Sequence, residues 1–258
     1  MTARFLAILA LPAVLMACGE TAPATLDGQV LDIWGAQVAG ATILIDGTNL
    51  TADDHGYFAV ENPTYPMTLR VGKDGYVQDE VVVVAAEDGT VVPPNIALYP
   101  RPQERGFYVV GQTAYKKLDP ASVQVIGNEL SKVSGLQAIP VTAGRTPFEV
   151  IFQTELRLEE VTRLGLELHK LTYSAKVEIS GPFGTEEADA NLYTSTGVIN
   201  LELAPMRSRD AYRVVPTESL EPGWYAFQIQ DVLDPNNALN LASLPAAQKV
   251  AWAFEYKP

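Results

Sequence analysis

The chain has 258 residues, 18 Lys+Arg against 31 Asp+Glu, a net charge of −13, one cysteine and two histidines. One cysteine excludes an internal disulfide framework, and one Cys with two distant His excludes a zinc site of the Cys/His type. The acidic balance repels phosphate polymers, so no nucleic-acid partner is expected. In chain order, the first feature is a charge followed by an apolar run. Arg4 is the only charge before Cys18, and Phe5 to Ala17 is apolar. Thirteen residues fall short of the roughly 20 that span a bilayer as a helix. The order is that of a secretory signal.

The run ends Leu15-Met16-Ala17-Cys18. This resembles the lipobox of bacterial lipoprotein signal peptides. The resemblance implies cleavage after residue 17 and a lipid on the Cys18 thiol. Lipid chains add about 0.8 kcal/mol of membrane affinity per buried CH₂, so several of them anchor firmly. Gly19, rather than Asp, follows the cysteine. In a Gram-negative host the resemblance then implies the outer membrane. Residues 18–25 are small and polar beyond the cysteine and read as a lipidated tether.

From Leu26 onward, short apolar runs alternate with turn residues, as in an all-β protein. The expected strands carry Val30 and Ile33, then Ala41–Ile45, Tyr57–Val60, Met67–Val71, Glu80–Val84 and Pro93–Tyr99. Thr42/Leu44 and Phe58/Val60 show the period of two of half-buried strands. The Val81–Val84 run is apolar on both faces, which predicts packing on both sides.

The succession Gly28-Gln-Val30, Gly40-Ala41-Thr-Ile43, Thr51-Ala-Asp53-Asp-His-Gly56-Tyr-Phe58, Leu69-Arg-Val71 and Gly75-Tyr76 is distinctive in combination. It resembles the carboxypeptidase regulatory-like domain, which implies a seven-stranded sandwich of transthyretin-like topology over about 26–100. The resemblance implies no peptidase activity. Gly40 and Gly56 suit positive φ in tight connections, and Phe58 and Tyr76 suit a sandwich core. Pro100-Arg101-Pro102 marks a stiff junction. Residues 18–102 carry three Lys+Arg against twelve Asp+Glu, and residues 103–258 carry fourteen against nineteen. The expected division is a signal peptide at 1–17, a tether at 18–25, one sandwich at 26–102 and a second sandwich-like domain at 103–258.

In the second unit, strands are expected at 106–110, 148–152, 165–171, 175–179, 198–203, 212–215, 223–229 and 250–256. Residues 155–171 fit a helix face as well, but Gly165 and the β-rich neighbours favour a strand. A short helix or turn is expected within 119–134. The segment Leu220-Glu-Pro222-Gly223-Trp-Tyr225-Ala-Phe227 resembles a hairpin common in bacterial extracellular β-sandwiches. Its Pro-Gly turn leads into a strand with Tyr225 and Phe227 on one face. The 231–248 connection is long, as functional loops often are.

Chemistry is sparse. No Gly-x-Ser-x-Gly, His-Glu-x-x-His or Gly-x-x-x-x-Gly-Lys motif occurs. His55 lies in a turn and His169 in a polar slot of an alternating strand, so both are expected at the surface. Adjacent carboxylates such as Glu159-Glu160 point to opposite faces of a strand, which does not suit a glycosidase pair. Calcium needs six to eight oxygens. Its weak candidates are Asp46, Asp53 and Asp54, with a second set at Asp231, Asp234, Asn236 and Asn237. Trp34, at a predicted turn, is the candidate for stacking on a sugar ring, against the more ordinary role of packing.

The expectation is an all-β chain, two tandem β-sandwich domains after a lipoprotein signal peptide. It would be a non-enzymatic scaffold or protein-interaction module in the bacterial envelope, with Cys18 lipidated, no cofactor and an envelope protein as partner. The alternative is a surface protein binding polysaccharide at Trp34.

Overall fold

The structure is a computed structural model that describes residues 25–207, 210–229, 231–234, 241 and 243–258. The expected signal peptide, Cys18, the expected tether up to residue 24, Asn236 and Asn237 lie outside the described residues. The described residues are nearly all β, with little helix.

Seven strands build the N-terminal half: β1 (Thr25–Asp32), β2 (Thr42–Ile45), β3 (Thr48–Thr51), β4 (Tyr57–Glu61), β5 (Met67–Gly72), β6 (Asp79–Val83) and β7 (Asn95–Leu98). They pair as two sheets, β4-β1-β7 and β3-β2-β5-β6. Alternation puts Leu26 and Val30 of β1, Ile43 and Ile45 of β2, Leu69 and Val71 of β5, and Ile96 and Leu98 of β7 into one core with Phe58. Each such side chain contributes about 1.5–3 kcal/mol by leaving water. Two glycines are required by close approach. A Cβ on Gly28 would sit 2.3 Å from the Phe58 ring. Gly56 has φ 77°, and its Cβ would meet the Val30 carbonyl oxygen at 2.4 Å.

Two expectations change here. β3 reads Thr-Asn-Leu-Thr, too polar to stand out, yet its pairing with β2 is continuous over four residues. The valine run is not buried on both faces: Val83 is buried, but Val82 and Val84 are 60% and 62% exposed. Val82 lies on the face opposite the buried Val83, and Val84 lies past the end of β6, so neither meets the core.

The C-terminal half begins with β8 (Gly106–Val110), β9 (Tyr115–Leu118), β10 (Ala121–Ser122), β11 (Gln124–Gly127), β12 (Lys132–Gly135), β13 (Val141–Ala143) and β14 (Val150–Gln153). After α1 (Leu158–Arg163) come β15 (Glu167–Gly181), β16 (Gly184–Ile199), β17 (Leu201–Pro205), β18 (Ala211–Pro216), β19 (Gly223–Gln228) and β20 (Val250–Tyr256). One sheet runs β17-β18-β14-β8-β9 and the other β10-β20-β19-β15-β16, with β13 added beside β20. Their facing sides hold Phe107, Phe148, Phe152, Tyr225, Phe227, Phe254 and Tyr256. Phe107 lies parallel to Phe152 and Phe227, with centroids 4.3 and 5.1 Å away. Tyr225 and Phe227 share the inward face, as the Pro-Gly turn and strand period require.

Three local expectations are corrected. The 119–134 stretch forms three strands, and β11 and β12 make a hairpin of their own. Residues 155–171 divide: α1 occupies Leu158–Arg163, Gly165 turns at φ 64°, and β15 starts at Glu167. The Glu160 carboxylate accepts the Arg157 N–H at 2.8 Å, which starts a helix the strand neighbours did not suggest. The runs at 165–171 and 175–179 are one strand, β15, not two.

Between the halves, Tyr108, Val110, Ile151 and Ala211 form a small cluster on the outer side of the five-stranded sheet. Ile33 and Tyr99 pack on it from the N-terminal half. β8 and β14 are therefore buried on both faces, which explains their unbroken apolar runs.

Candidate functional site: a projecting hairpin and the polar joint at its root

β15 and β16 form the longest pairing in the molecule, thirteen matched positions from Leu168↔Ile199 to Gly181↔Gly184. β19 supports β15 only over Glu167–Leu171. Beyond that the hairpin extends as an arm. The β11–β12 hairpin backs it, with the Asn128 amide donating to the Ser180 carbonyl at 3.0 Å. Phe183, at the tip, is fully exposed. β16 pairs with no second strand along Gly184–Leu192 among the described residues. That edge carries exposed Glu186, Glu187 and Asp189. Edge carboxylates oppose pairing with a second copy, because like charges then meet across the ladder. Lys176 offsets one of them, pairing with Glu187 at 2.9 Å.

Two extra residues on β16 bend the arm, one at Thr196 and one near Asn191. Asn191 adopts φ 50°, and its amide oxygen accepts the Tyr173 hydroxyl at 2.9 Å. Bulges of this kind add twist and re-aim the strand beyond them.

At the root lies His169. It is not on the surface as expected: the residue is 1% exposed. Nδ1 lies 2.6 Å from the Ser195 hydroxyl and Nε2 lies 3.0 Å from a Glu167 carboxylate oxygen. A neutral ring satisfies both, with the serine O–H donating to Nδ1 and the Nε2–H donating to the carboxylate. The same carboxylate oxygen accepts the Gln228 amide at 2.7 Å. The Gln228 side-chain amide oxygen accepts the Leu233 N–H at 2.6 Å. The chain Ser195–His169–Glu167–Gln228–Leu233 thus ties β16, β15, β19 and the loop after β19 together. A hydroxyl, an imidazole and a carboxylate in series also resemble a nucleophile relay in outline. Here the imidazole is buried, while Ser195 is half-buried and the Glu167 side chain is partly exposed, and the hydrogen bonds of the series serve to join strands.

The remaining candidates stand elsewhere. Trp34 lies at the junction: its indole N–H donates to the Gly111 carbonyl at 3.0 Å, and its ring meets Tyr115 edge-on at 4.9 Å. Asp32 holds the turn, its carboxylate accepting the N–H groups of Trp34 and Ala36 at 2.8 Å each. Arg145 donates to the Ile33 carbonyl at 3.1 Å. Tyr99 donates to Glu149 at 2.8 Å; burial, then the charge of Glu149, pushes its pKa up to about 12. Burial, above all, also raises that of Tyr115.

The structure does not bring the aspartates together. Asp46 sits in the β2–β3 turn, and Asp53 and Asp54 lie past the other end of β3. At about 3.3 Å per strand residue these points are far beyond shared coordination. The Asp53 carboxylate is occupied by the N–H groups of His55 and Tyr57, at 2.8 Å each. Among the described residues no group of three His, Cys, Asp or Glu is placed to hold a metal ion. His55 is exposed, with Nδ1 3.2 Å from the Gln37 side chain. The polar joint escaped the sequence because its members are 26 and 61 residues apart along the chain. The only available signal was a histidine in a polar slot two residues after a glutamate.

No family model matches the chain, and no curated protein matches it. Among solved structures, one from Bacteroides fragilis NCTC 9343, provisionally described as a membrane-associated protein of unknown function, is similar at 10% identity. The alignment covers 76% of this chain and 98% of that one, with a TM-score of 0.24. Among the described residues no helix is long and apolar enough to cross a membrane.

Proposed function

We propose that this is a non-enzymatic, lipid-anchored protein of the bacterial envelope, probing a protein partner with the β15–β16 arm. The observation that carries the reading is the arm itself: a two-stranded extension beyond β19, backed by the β11–β12 hairpin, with a bare aromatic at its tip and an unpaired edge. An exposed edge of this kind can accept a partner strand. The acidic edge suits a partner of basic surface. The leader ending at Cys18 supports the anchor, and the outer membrane is the destination that Gly19 favours.

The domain reading is part of the same proposal: residues 26–102 as a carboxypeptidase regulatory-like sandwich and 103–258 as a second sandwich. Seven strands in a three-plus-four arrangement, with Gly28 against the Phe58 ring and Gly56 against the Val30 backbone, support the first. The polysaccharide alternative has less support at Trp34, whose N–H is bonded to Gly111 and whose ring packs against Tyr115 at the junction.

Two experiments test the proposal. A photo-crosslinking residue is placed at Phe183 and, as control, at exposed Val92 in intact cells. A discrete protein adduct from 183 alone is expected; equal or absent adducts at both positions reject the arm. Separately, Cys18→Ser is expected to move the protein from the membrane fraction to the soluble fraction. Unchanged fractionation rejects the anchor.

A further inference from the structure

The N-terminal half is strongly acidic, and its three basic residues, Arg70, Lys73 and Arg101, are the only ones in residues 25–102. All three line one cavity of about 810 Å³ on the outer face of the β3-β2-β5-β6 sheet. Random placement on so negative a surface would scatter them beside carboxylates. Here one carboxylate, that of Asp74, shares the lining. The volume lies in the range of small-ligand sites.

The cations are positioned by the backbone around them. The Lys73–Tyr76 turn closes with Tyr76 N–H donating to the Lys73 carbonyl at 3.0 Å. The Arg101 N–H donates to the Gly75 carbonyl at 2.8 Å, which holds Arg101 beside that turn. Lys73 reaches the Ala39 carbonyl, a neutral acceptor that leaves its charge uncompensated. Among the described residues neither Lys73 nor Arg101 has a carboxylate partner within an ion pair. Arg70 does: Glu80 holds it at 2.8 Å, and Arg207 holds the other oxygen of Glu80 at 2.8 Å. The Arg70 guanidinium, with help from Arg207, keeps the Glu80 carboxyl below its usual range.

We propose that this cleft binds an acidic oligosaccharide through its carboxylate groups, with Arg101 and Lys73 as the charge-reading residues. Arginine matches a carboxylate with a planar fork of donors, and lysine supplies a point charge beside it. Thr42, Asn49 and Gln78 line the floor with short donors and acceptors suited to sugar hydroxyls. The backbone of β2 and β5 is already paired on both sides, so an extended peptide cannot be read here by strand addition. A phosphate polymer or an anionic lipid surface would span the cleft and meet the surrounding carboxylates. A short ligand feels mainly the local cations, since repulsion from charges farther than about 8 Å is screened at physiological ionic strength. The site is separate from the hairpin arm, so either proposal can fail without the other.

The test is binding of trigalacturonate, maltotriose and inorganic phosphate to the full chain by calorimetry, at about 0.02 M and about 0.3 M salt. Trigalacturonate is expected to bind at low salt and weaken at high salt, with maltotriose and phosphate at least about tenfold weaker. The double variant Lys73→Gln/Arg101→Gln is expected to lose at least about tenfold for trigalacturonate. Both residues are exposed, and an unchanged circular dichroism spectrum confirms folding. Lys73→Arg/Arg101→Lys, which keeps both charges, is expected to retain most of the binding. Absence of trigalacturonate binding overturns the proposal. So does equal affinity for maltotriose, equal affinity for phosphate, or undiminished binding by the glutamine variant.

Discussion

The two halves of the molecule fill their cores with different side chains. The N-terminal core is aliphatic apart from Phe58, and its two sheets have three and four short strands. The C-terminal core is a pile of rings, with Phe107, Phe152 and Phe227 parallel and Phe148 stacked on Phe254 at 4.7 Å. Rings bury more area per residue, so a few positions dominate the larger half. In the smaller half the work is spread over many valines, leucines and isoleucines. Sensitivity to a single truncation should therefore differ between them.

The sharpest break of that contrast is Phe107→Ala, expected to cost about 3–5 kcal/mol in denaturant unfolding because three rings lose a neighbour. Leu69→Ala in the aliphatic core should cost less, about 2–3 kcal/mol. Equal losses would mean that ring stacking does not set the hierarchy. Next comes the polar joint. His169→Ala should cost about 2–4 kcal/mol, since it opens a cavity and leaves Glu167 and Ser195 short of partners. Hydrogen exchange should show the loss concentrated in β15, β16 and the loop at Leu233; a uniform loss would contradict its role as a local tie.

Trp34→Ala tests whether the two cores unfold together. It removes the indole bond to Gly111 and the contact with Tyr115, about 1–2 kcal/mol of coupling. Thermal unfolding is expected to separate into two transitions, with the N-terminal half melting first. A single undivided transition would show that Ile33 and Tyr99 suffice to couple them.

A pH dependence belongs to the same junction. Tyr99 ionises at about 12 in the folded chain and near its ordinary value of about 10 when unfolded. Its contribution is complete below pH ~10 and is lost as pH rises toward 12, where the unfolded form already releases the proton. Tyr99→Phe should flatten that part of the stability curve. The smallest effect is expected for Arg70→Ala. Its side chain is largely exposed, and Arg207 still holds Glu80 without it, so the unfolding midpoint should stay close to that of the unmodified chain.

Much of the architecture was legible along the chain. The alternation of Tyr225 and Phe227 after Pro222-Gly223 put the right face inward because a strand's period is two whatever its neighbours. The Val81–Val84 run misled for the complementary reason: apolar character on both faces says nothing about whether a neighbour exists to cover the second. The division of 155–171 turned on a single carboxylate reaching back to a backbone N–H, a contact too local and too small for a hydropathy pattern to register.

The sequence by itself determined the strand-rich class, the positive φ of Gly40 and Gly56, and the candidate anchor at Cys18. These follow from rules that act over a few residues: side-chain alternation, steric limits on φ, and the order of charge and apolar run. Only the tertiary structure decided that His169 is buried, that Trp34 belongs to a junction, that β15 and β16 outrun their supporting sheet, and that Arg70, Lys73 and Arg101 meet in one cleft. Each depends on which strands become neighbours. That is settled by the packing of two cores, through contacts between residues tens of positions apart.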